Sequence, residues 1–226
     1  NNCDFKRIKA ELVPSILTPG EWTSWNTAAK KLLETEACFG VNPNDITKYT
    51  VRDGKISPEE KLSNEFKAQK QFFARADILM KFFESDETDT SSELFADMYQ
   101  YFTGFLKNIS KVTEQVLASY LLVKYVGTVN KQFAFPVAET FAEIYRRIED
   151  PKEIYANLKD SKNTHFRKDF LQSIKMLPNW NEEYIRLFPT VLDEKLLDDL
   201  IKEGHTADVQ RLVKTAFEGF KDYRET

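Results

Sequence analysis

The residue types that most often carry enzyme chemistry are sparse in this chain and form no known catalytic pattern. His165 and His205 are its only two imidazoles, and each lies at a predicted helix start among polar neighbours. They lack the His-Glu-x-x-His spacing with which a zinc protease binds its metal. No Gly-x-Ser-x-Gly turn is present to expose a nucleophilic serine. We therefore expect surface or capping histidines in a chain that is not an enzyme, with no cofactor, no metal site and no catalytic residue.

An acidic stretch raises the question of calcium binding. Its carboxylates are those of Glu84, Asp86, Glu87, Asp89 and Glu93. The stretch has neither the mid-loop glycine nor the ligand spacing of an EF-hand, so we expect a solvated linker. The pairs Glu182–Glu183 and Asp198–Asp199 are adjacent in sequence, and adjacent residues point to different sides of a helix.

Basic residues recur through the second half of the chain and are the candidates for an interaction surface. The residues that we select are Arg146, Arg147, Arg167, Lys168, Arg186 and Arg211. In an array of helix pairs, side chains from successive second helices line one groove, which would suit an acidic protein partner or nucleic acid near a polymerase. The alternative is that they lie on solvated helix faces with partners three or four residues away.

Helix start signals recur along the chain and predict a largely helical fold. Thr18 and Glu21 form a capping box with Pro19 at the first helical position. Similar signals and helical spacing predict one helix over residues 57–84 and another over 136–148, and Asp150 is expected to cap a further helix. The segment from Ser110 to Val126 is apolar nearly all round, which predicts a buried central helix. Between these helical stretches, residues 37–55 lose the helical period. The β-branched segment Ile46-Thr-Lys-Tyr-Thr-Val in this interval indicates one short extended piece.

Trp22 and Trp25 lie three residues apart in the helix that starts after Thr18, and they share its predicted apolar face with Ala29, Leu32 and Leu33. Large aromatic side chains of this kind usually anchor a helix in a core, so we expect both tryptophans to be structural anchors. A second interpretation, a hot spot for peptide binding, stays open.

The pattern as a whole predicts an all-α chain, an irregular helical-repeat array of stacked helix pairs similar to HEAT or TPR α-solenoids. Its segments are a tryptophan-containing helix with an irregular stretch (1–57), a bundle of long helices (58–135) and shorter helix pairs (136–226). The segments around His165 and His205 are 40 residues apart, a HEAT-like step, but the apolar positions that follow them are out of phase. We expect one continuous helical unit cut from a longer protein.

Composition restricts the location and the partners. The net charge is −4 and no apolar run approaches the roughly 20 residues of a membrane span. Cys3 and Cys38 have no partner spacing that indicates a disulfide framework or a zinc site. We therefore expect a cytoplasmic location, no membrane partner, and a protein partner rather than nucleic acid as the dominant one.

Four segments near the start also resemble a known family. They are Leu17-Thr-Pro-Gly-Glu-Trp-Thr-Ser-Trp, Ala28-Ala-Lys-Lys-Leu, Phe39-Gly-Val and Tyr49-Thr-Val-Arg-Asp. They resemble the helical region that precedes the cleavage domain in the long, multidomain form of the bacterial transcription elongation factor GreA. The match covers about 36 of the 226 residues closely, and the later helices in general character.

The resemblance implies a non-catalytic accessory domain that binds a protein, RNA polymerase or an associated partner. The acidic coiled-coil tip that carries the family's metal-binding carboxylates has no counterpart in this sequence, so no catalytic residue is carried over. Two alternatives remain, an unrelated cytosolic helical scaffold or adaptor and a helical enzyme with a buried carboxylate cluster.

Overall fold

The computed structural model describes residues 2–187, 191 and 193–222. In this part of the chain there are twelve α-helices, three short β-strands and one 3₁₀ turn at Lys131–Phe133. The strands are β1 (Asn2–Asp4), β2 (Phe39–Asn42) and β3 (Asp45–Val51). The helices are α1 (Phe5–Leu12), α2 (Pro19–Thr35), α3 (Pro58–Ala68), α4 (Phe72–Glu84), α5 (Glu93–Gly104), α6 (Glu114–Val129), α7 (Phe141–Arg146), α8 (Pro151–Asn157), α9 (Phe166–Lys175), α10 (Trp180–Leu187), α11 (Glu194–Lys202) and α12 (Thr206–Asp222). The prediction of a mostly helical chain is therefore confirmed.

The chain divides into two compact units. Unit 1 consists of residues 1–105 together with 161–164, and unit 2 of residues 106–160 and 165–226. No helix in the described ranges combines the length and the apolar character that crossing a membrane requires.

Unit 1 begins with a small antiparallel sheet, and on this point the all-α prediction is wrong. The strand order is β1-β3-β2, so the last strand of the sequence lies in the centre. Tyr49 of β3 pairs with Cys3 on one side and with Val41 on the other. The extended piece predicted at residues 46–51 is confirmed as most of β3. Its two partner strands, of three and four residues, are too short to show an alternating pattern in the sequence.

Helix α2 starts as predicted. The Glu21 side chain accepts a hydrogen bond from the Thr18 backbone N–H at 2.9 Å, and the Thr18 hydroxyl accepts one from the Glu21 N–H at 3.3 Å. These reciprocal bonds satisfy two N–H groups that a helix N-terminus otherwise leaves without partners. Helix α1 precedes α2, and the β2–β3 hairpin follows it.

The prediction of one helix over residues 57–84 is wrong, because this stretch forms two separate helices, α3 and α4. The Gln69 side-chain oxygen accepts hydrogen bonds from the N–H groups of Lys70 and Gln71, at 2.9 and 3.0 Å. Arg75 also donates from Nε to the Gln69 carbonyl oxygen at 2.6 Å. These bonds replace the helical bonds lost at the break, and no helix-period signal in the sequence reveals them.

Aromatic rings fill the space between α3, α4 and α5. Phe72 lies 5.5 Å from Phe102 and 5.3 Å from Phe105, ring centre to ring centre and nearly perpendicular in both cases. Phe66 contacts Phe102 in the same edge-to-face manner at 6.1 Å. Edge-to-face pairs add about 0.5–1.5 kcal/mol each beyond the burial of their area, so this cluster is the main core of unit 1.

A short loop, residues 161–164, belongs to unit 1 because it is attached to α4. The Asp77 carboxylate accepts hydrogen bonds from the Ser161 hydroxyl at 2.5 Å, from the Asn163 N–H at 3.1 Å and from the Asn163 side-chain amide at 2.9 Å. One carboxylate thus organises the whole loop.

Unit 2 is built around α6, which is buried on nearly every side, as its apolar sequence predicts. Helices α8 and α9 pack against it. Phe141 at the start of α7 lies 6.3 Å from Tyr120 of α6 and 6.3 Å from Phe170 of α9. These ring contacts join three helices into one core.

The shorter helices α7 and α8 of unit 2 begin directly after their N-cap residues. The helix predicted over residues 136–148 is reduced to α7, because the capping box of Thr140 and Glu143 starts it five residues later, at Phe141. Asp150 caps α8 as expected, accepting from the N–H groups of Lys152 and Glu153. Helix α9 packs on α10 and α11 packs on α12. The description of these pairs as a helical-repeat array stays a prediction.

Candidate interaction surfaces

Arg147, at the end of α7, has a structural role. Its guanidinium donates to the Glu139 carboxylate at 2.8 Å, and it also donates to the backbone carbonyl oxygens of Ile109 and Ser110. One side chain therefore satisfies two carbonyl groups of the segment that leads into α6. A guanidinium with five donors suits such a position better than an ammonium group.

Arg167, in the first turn of α9, is similarly engaged. It donates from Nη2 to the Ala156 carbonyl oxygen at 3.2 Å, and its guanidinium lies 5.6 Å from the ring centre of Tyr155. Its backbone N–H donates to the Asp160 carboxylate at 3.0 Å. Arg167 is only partly exposed, so it fastens α9 to the segment after α8.

The other four selected residues have exposed side chains. Arg186 pairs with Glu183 at 3.0 Å and Arg211 with Asp208 at 3.1 Å, each with an acid three residues earlier on its own helix. Arg146 donates to a carbonyl of its own helix, and Lys168 has no ion pair among the described side chains. Exposed ion pairs of this kind contribute little to stability, so the charged groups of these four side chains are available to a partner.

Helices α7 and α10 are neighbours, which places Arg146 and Arg186 on adjacent elements. Burial raises the pKa of Tyr145 on α7, and the nearby Glu183 carboxylate of α10 raises it further. The Arg186 guanidinium acts on the same hydroxyl in the opposite direction. The prediction that all six basic residues line one groove stays a prediction.

Trp22 is 9 % exposed and is the most buried side chain of α2. Its ring stacks on that of Trp25 at 5.2 Å, and the Lys9 ammonium lies 5.8 Å from its centre. Trp25 is only half-buried, and Leu32, expected on the same face, is 53 % exposed. The apolar stripe of α2 is therefore narrower than its sequence indicates.

The two histidines occupy helix starts. His165 precedes α9 and is exposed, with no side-chain capping bond. His205 Nε2 lies 3.3 Å from the Asn181 amide nitrogen, and Nδ1 lies 3.5 Å from an Asp208 oxygen. In the described part of the chain, no three His, Cys, Asp or Glu side chains come together as metal ligands would.

Unit 1 contains a half-open cleft of about 660 Å³ that sequence patterns do not reveal. Its walls are mostly apolar and come from the end of α2, the sheet, α3 and the end of α4. They include Leu33, Phe39, Val41, Tyr49, Ile56 and Leu62. Clefts of this size with a few polar groups are typical of binding sites.

The polar groups at this cleft differ in their hydrogen bonds and in their burial. Lys61 donates from its ammonium to the carbonyl oxygens of Glu34 and Glu36, at 3.0 and 2.6 Å, and so caps the C-terminus of α2. Burial raises the pKa of Glu65, and the Glu34 carboxylate adds to this while Lys81 opposes it. Burial also raises the pKa of Tyr49. Because these groups come from four different elements, α2, β3, α3 and α4, only the tertiary fold brings them together.

The outward side of α2 is a further surface, and the sequence pattern does not single it out. Thr23, Ser24, Thr27 and Lys31 are all exposed there. A polar stripe on an amphipathic helix usually means a solvated face. This face is a candidate interaction surface because α2 lies between α1 and the β2–β3 hairpin in the chain.

Comparison with known proteins finds two family models that together match nearly the whole chain. Residues 1–56 match the GRAD helix-turn-helix domain, and residues 58–226 match the GreA-associated C-terminal domain. A putative GreA-associated domains protein of Treponema pallidum is 44% identical over 99% of the chain, and the alignment covers 34% of that protein. Transcription elongation factor GreA of Borreliella burgdorferi is 27% identical over 98% of the chain, and the alignment covers 25% of it.

The chain thus spans about a third and a quarter of the length of these two relatives. No solved structure matches it. The family profile covers well over half of the sequence, and the resemblance to the accessory region of long GreA proteins is confirmed. The chain belongs to the GreA-associated domain family.

Proposed function

We propose that the chain is a non-catalytic accessory region of a GreA-like transcription elongation factor, and that it acts by binding a protein, RNA polymerase or a partner associated with it. The observation that carries this proposal is the alignment of nearly the whole chain with a quarter of a GreA elongation factor. A region that occupies a minor share of such a factor is best explained as an addition to its activity. The family relation removes the alternative of an unrelated scaffold.

The surface that we propose for this partner consists of Arg146, Lys168, Arg186 and Arg211. Their side chains are exposed and their pairs are local to single helices. Arg147 and Arg167, which bind backbone carbonyl groups, support the helices instead. An acidic partner surface would gain attraction and speed of association from such groups, at a strength that falls with added salt.

The test is to measure binding of the chain to RNA polymerase purified from the bacterium that encodes it, by biolayer interferometry. The first variant reverses the four charges (Arg146→Glu, Lys168→Glu, Arg186→Glu, Arg211→Glu). The matched control reverses four exposed lysines of the same unit, Lys107, Lys131, Lys159 and Lys195. We expect the first variant to bind at least about tenfold more weakly, from about 1.4 kcal/mol of lost interaction, with the control within about threefold of the native chain.

Equal affinity of the two variants would show that these basic residues are not the binding surface. If the native chain itself does not bind polymerase, the polymerase assignment is wrong. Circular dichroism at 222 nm on every variant separates a loss of binding from a loss of helix.

We propose a cytoplasmic location, because a transcription factor works where the chromosome is. We also propose that unit 2 continues the stacking of helix pairs seen in α9–α10 and α11–α12. The boundaries predicted near residues 57 and 135 are retained as proposed segment limits.

A further inference from the structure

The first fifty-one residues have the topology of a winged helix-turn-helix. A strand leads into α1, a turn leads into α2, and a β-hairpin follows. The first strand pairs with the last, which gives the sheet order β1-β3-β2. In helix-turn-helix proteins the second helix of the motif enters the major groove of DNA. In this chain that helix is α2, seventeen residues long.

The outward side of α2 has the chemistry of a groove-reading face. Thr23, Ser24, Thr27 and Lys31 are exposed along it, and each is short or flexible and able to hydrogen-bond. The opposite side, with Trp22, packs inward.

The charges on α1 and α2 suit a polyanion. Lys6, Lys9, Lys30 and Lys31 are exposed and have no ion pair among the described side chains. Three of the acids on or beside these helices are engaged, and Glu34 of α2 is exposed without an ion pair among the described side chains. Asp4 caps α1, Glu11 pairs with Arg7 at 3.2 Å, and Glu21 holds the capping box of α2. The uncompensated charges on these two helices are therefore mostly positive.

The net charge of the whole chain conceals this local surplus. Residues 1–56 contain eight Lys and Arg and seven Asp and Glu, a net charge of +1. The remaining residues contain 24 and 29, a net charge of −5. The expectation that nucleic acid is not the dominant partner came from the total of −4. The negative charge behind that expectation lies in residues 57–226, so the expectation does not extend to residues 1–56.

We propose that the N-terminal part of unit 1 binds duplex DNA, with the Thr23–Lys31 face of α2 in the major groove and Lys6, Lys30 and Lys31 close to phosphates. This contact is additional to the protein contact proposed above and does not depend on it. It would hold an elongation factor near the template while another surface engages its protein partner.

The test is fluorescence anisotropy of the whole chain with a labelled duplex of about 20 bp, without polymerase. We expect binding with a Kd of about 10⁻⁴–10⁻⁶ M at physiological salt. With three or four phosphate contacts, affinity should fall by about 40- to 150-fold between 50 and 200 mM salt. No binding at about 100 μM chain in 50 mM salt would overturn the proposal.

Two sets of variants locate the surface. Lys6→Glu with Lys31→Glu should lower affinity at least about tenfold at low salt, since two phosphate contacts are lost and two repulsions are introduced. The matched control is Lys67→Glu with Lys70→Glu, two exposed lysines of the same unit outside residues 1–56, and it should stay within about twofold. Equal loss in both pairs would mean a general effect of charge and would overturn the assignment to α2.

A gain-of-binding variant guards against misfolding as an explanation. Glu34 is exposed, carries no ion pair among the described side chains, and lies seven residues after Thr27 on the same side of α2. Glu34→Gln removes a negative charge there and should raise affinity about two- to threefold. Unchanged or weaker binding would count against the face. Tighter binding to single-stranded RNA of equal length than to duplex DNA would overturn the choice of ligand.

Discussion

Replacement of Trp22 by alanine is the sharpest test of how the N-terminal part of unit 1 is held together. Trp22 is 9 % exposed and stacks on Trp25 at 5.2 Å. Truncation to alanine removes about 200 Å² of buried side-chain area, worth about 5 kcal/mol at 25 cal/mol per Å². A compact denatured state lowers this by about 10–40%. We therefore expect the free energy of unfolding to fall by about 3–5 kcal/mol, as for other large-to-small core changes.

Trp25→Ala is the graded comparison, because Trp25 is only half-buried. Its expected cost is about 2 kcal/mol, roughly half that of Trp22→Ala. Thr23→Ala, an exposed neighbour on the same helix, is the matched control and should stay within about 0.5 kcal/mol.

The assay must separate opening of this small part from unfolding of the rest. Hydrogen exchange by mass spectrometry does so, since peptides from residues 19–51 report local opening and peptides from α6 report unit 2. Trp180 stays as a fluorescent reporter for unit 2 during urea unfolding. If Trp22→Ala lowers the opening free energy that exchange reports for residues 19–51 by less than about 1 kcal/mol, Trp22 is not a core anchor. A simultaneous loss of partner binding would then assign it to an interaction surface.

Three further predictions concern single polar groups. Thr18→Ala should cost about 1 kcal/mol, because the capping box of α2 is lost, and urea unfolding against Ser24→Ala as a control measures it. Asp77→Ala should cost about 2–4 kcal/mol of local stability, because the donors of Ser161 and Asn163 lose their acceptor. Exchange of amides 159–165 should rise in that variant and stay unchanged in the exposed control Asp97→Ala. Glu65→Gln should raise stability at pH 7, because burial raises the pKa of Glu65 and the folded state therefore binds its proton more readily than the unfolded state. Because the pKa of Glu65 is raised, the native chain loses stability as pH increases from the ordinary glutamate pKa of about 4.3 through the pKa of the folded state. The urea midpoints of the native chain and of Glu65→Gln should therefore converge below pH 4. A constant difference between the two midpoints at all pH values would contradict this cause.

Local signals predicted local structure well. The Thr18 and Glu21 box, the Asp150 cap and the nearly continuous apolar sequence of α6 all appear as expected, because a cap or a helix face is decided by residues three or four positions apart. The break between α3 and α4 was missed, since it depends on side-chain bonds from Gln69 and Arg75 that compete with helical bonds of similar strength. The family resemblance lies in short segments near the start of the chain.

The sequence by itself determined that the chain is mostly helical, where most helices begin, and to which family it belongs. Only the tertiary structure decided that β1 crosses to pair with β3, since the partners are more than forty residues apart and two of the three strands are too short to show a period. The tertiary structure also separated the basic residues into two kinds. Arg147 reaches carbonyl groups 37 and 38 residues away, whereas Arg186 and Arg211 pair within one helical turn. These three residues are all arginines, with the same charge and the same hydrogen-bond donors. What each side chain does depends on which distant backbone groups the fold brings within hydrogen-bond distance.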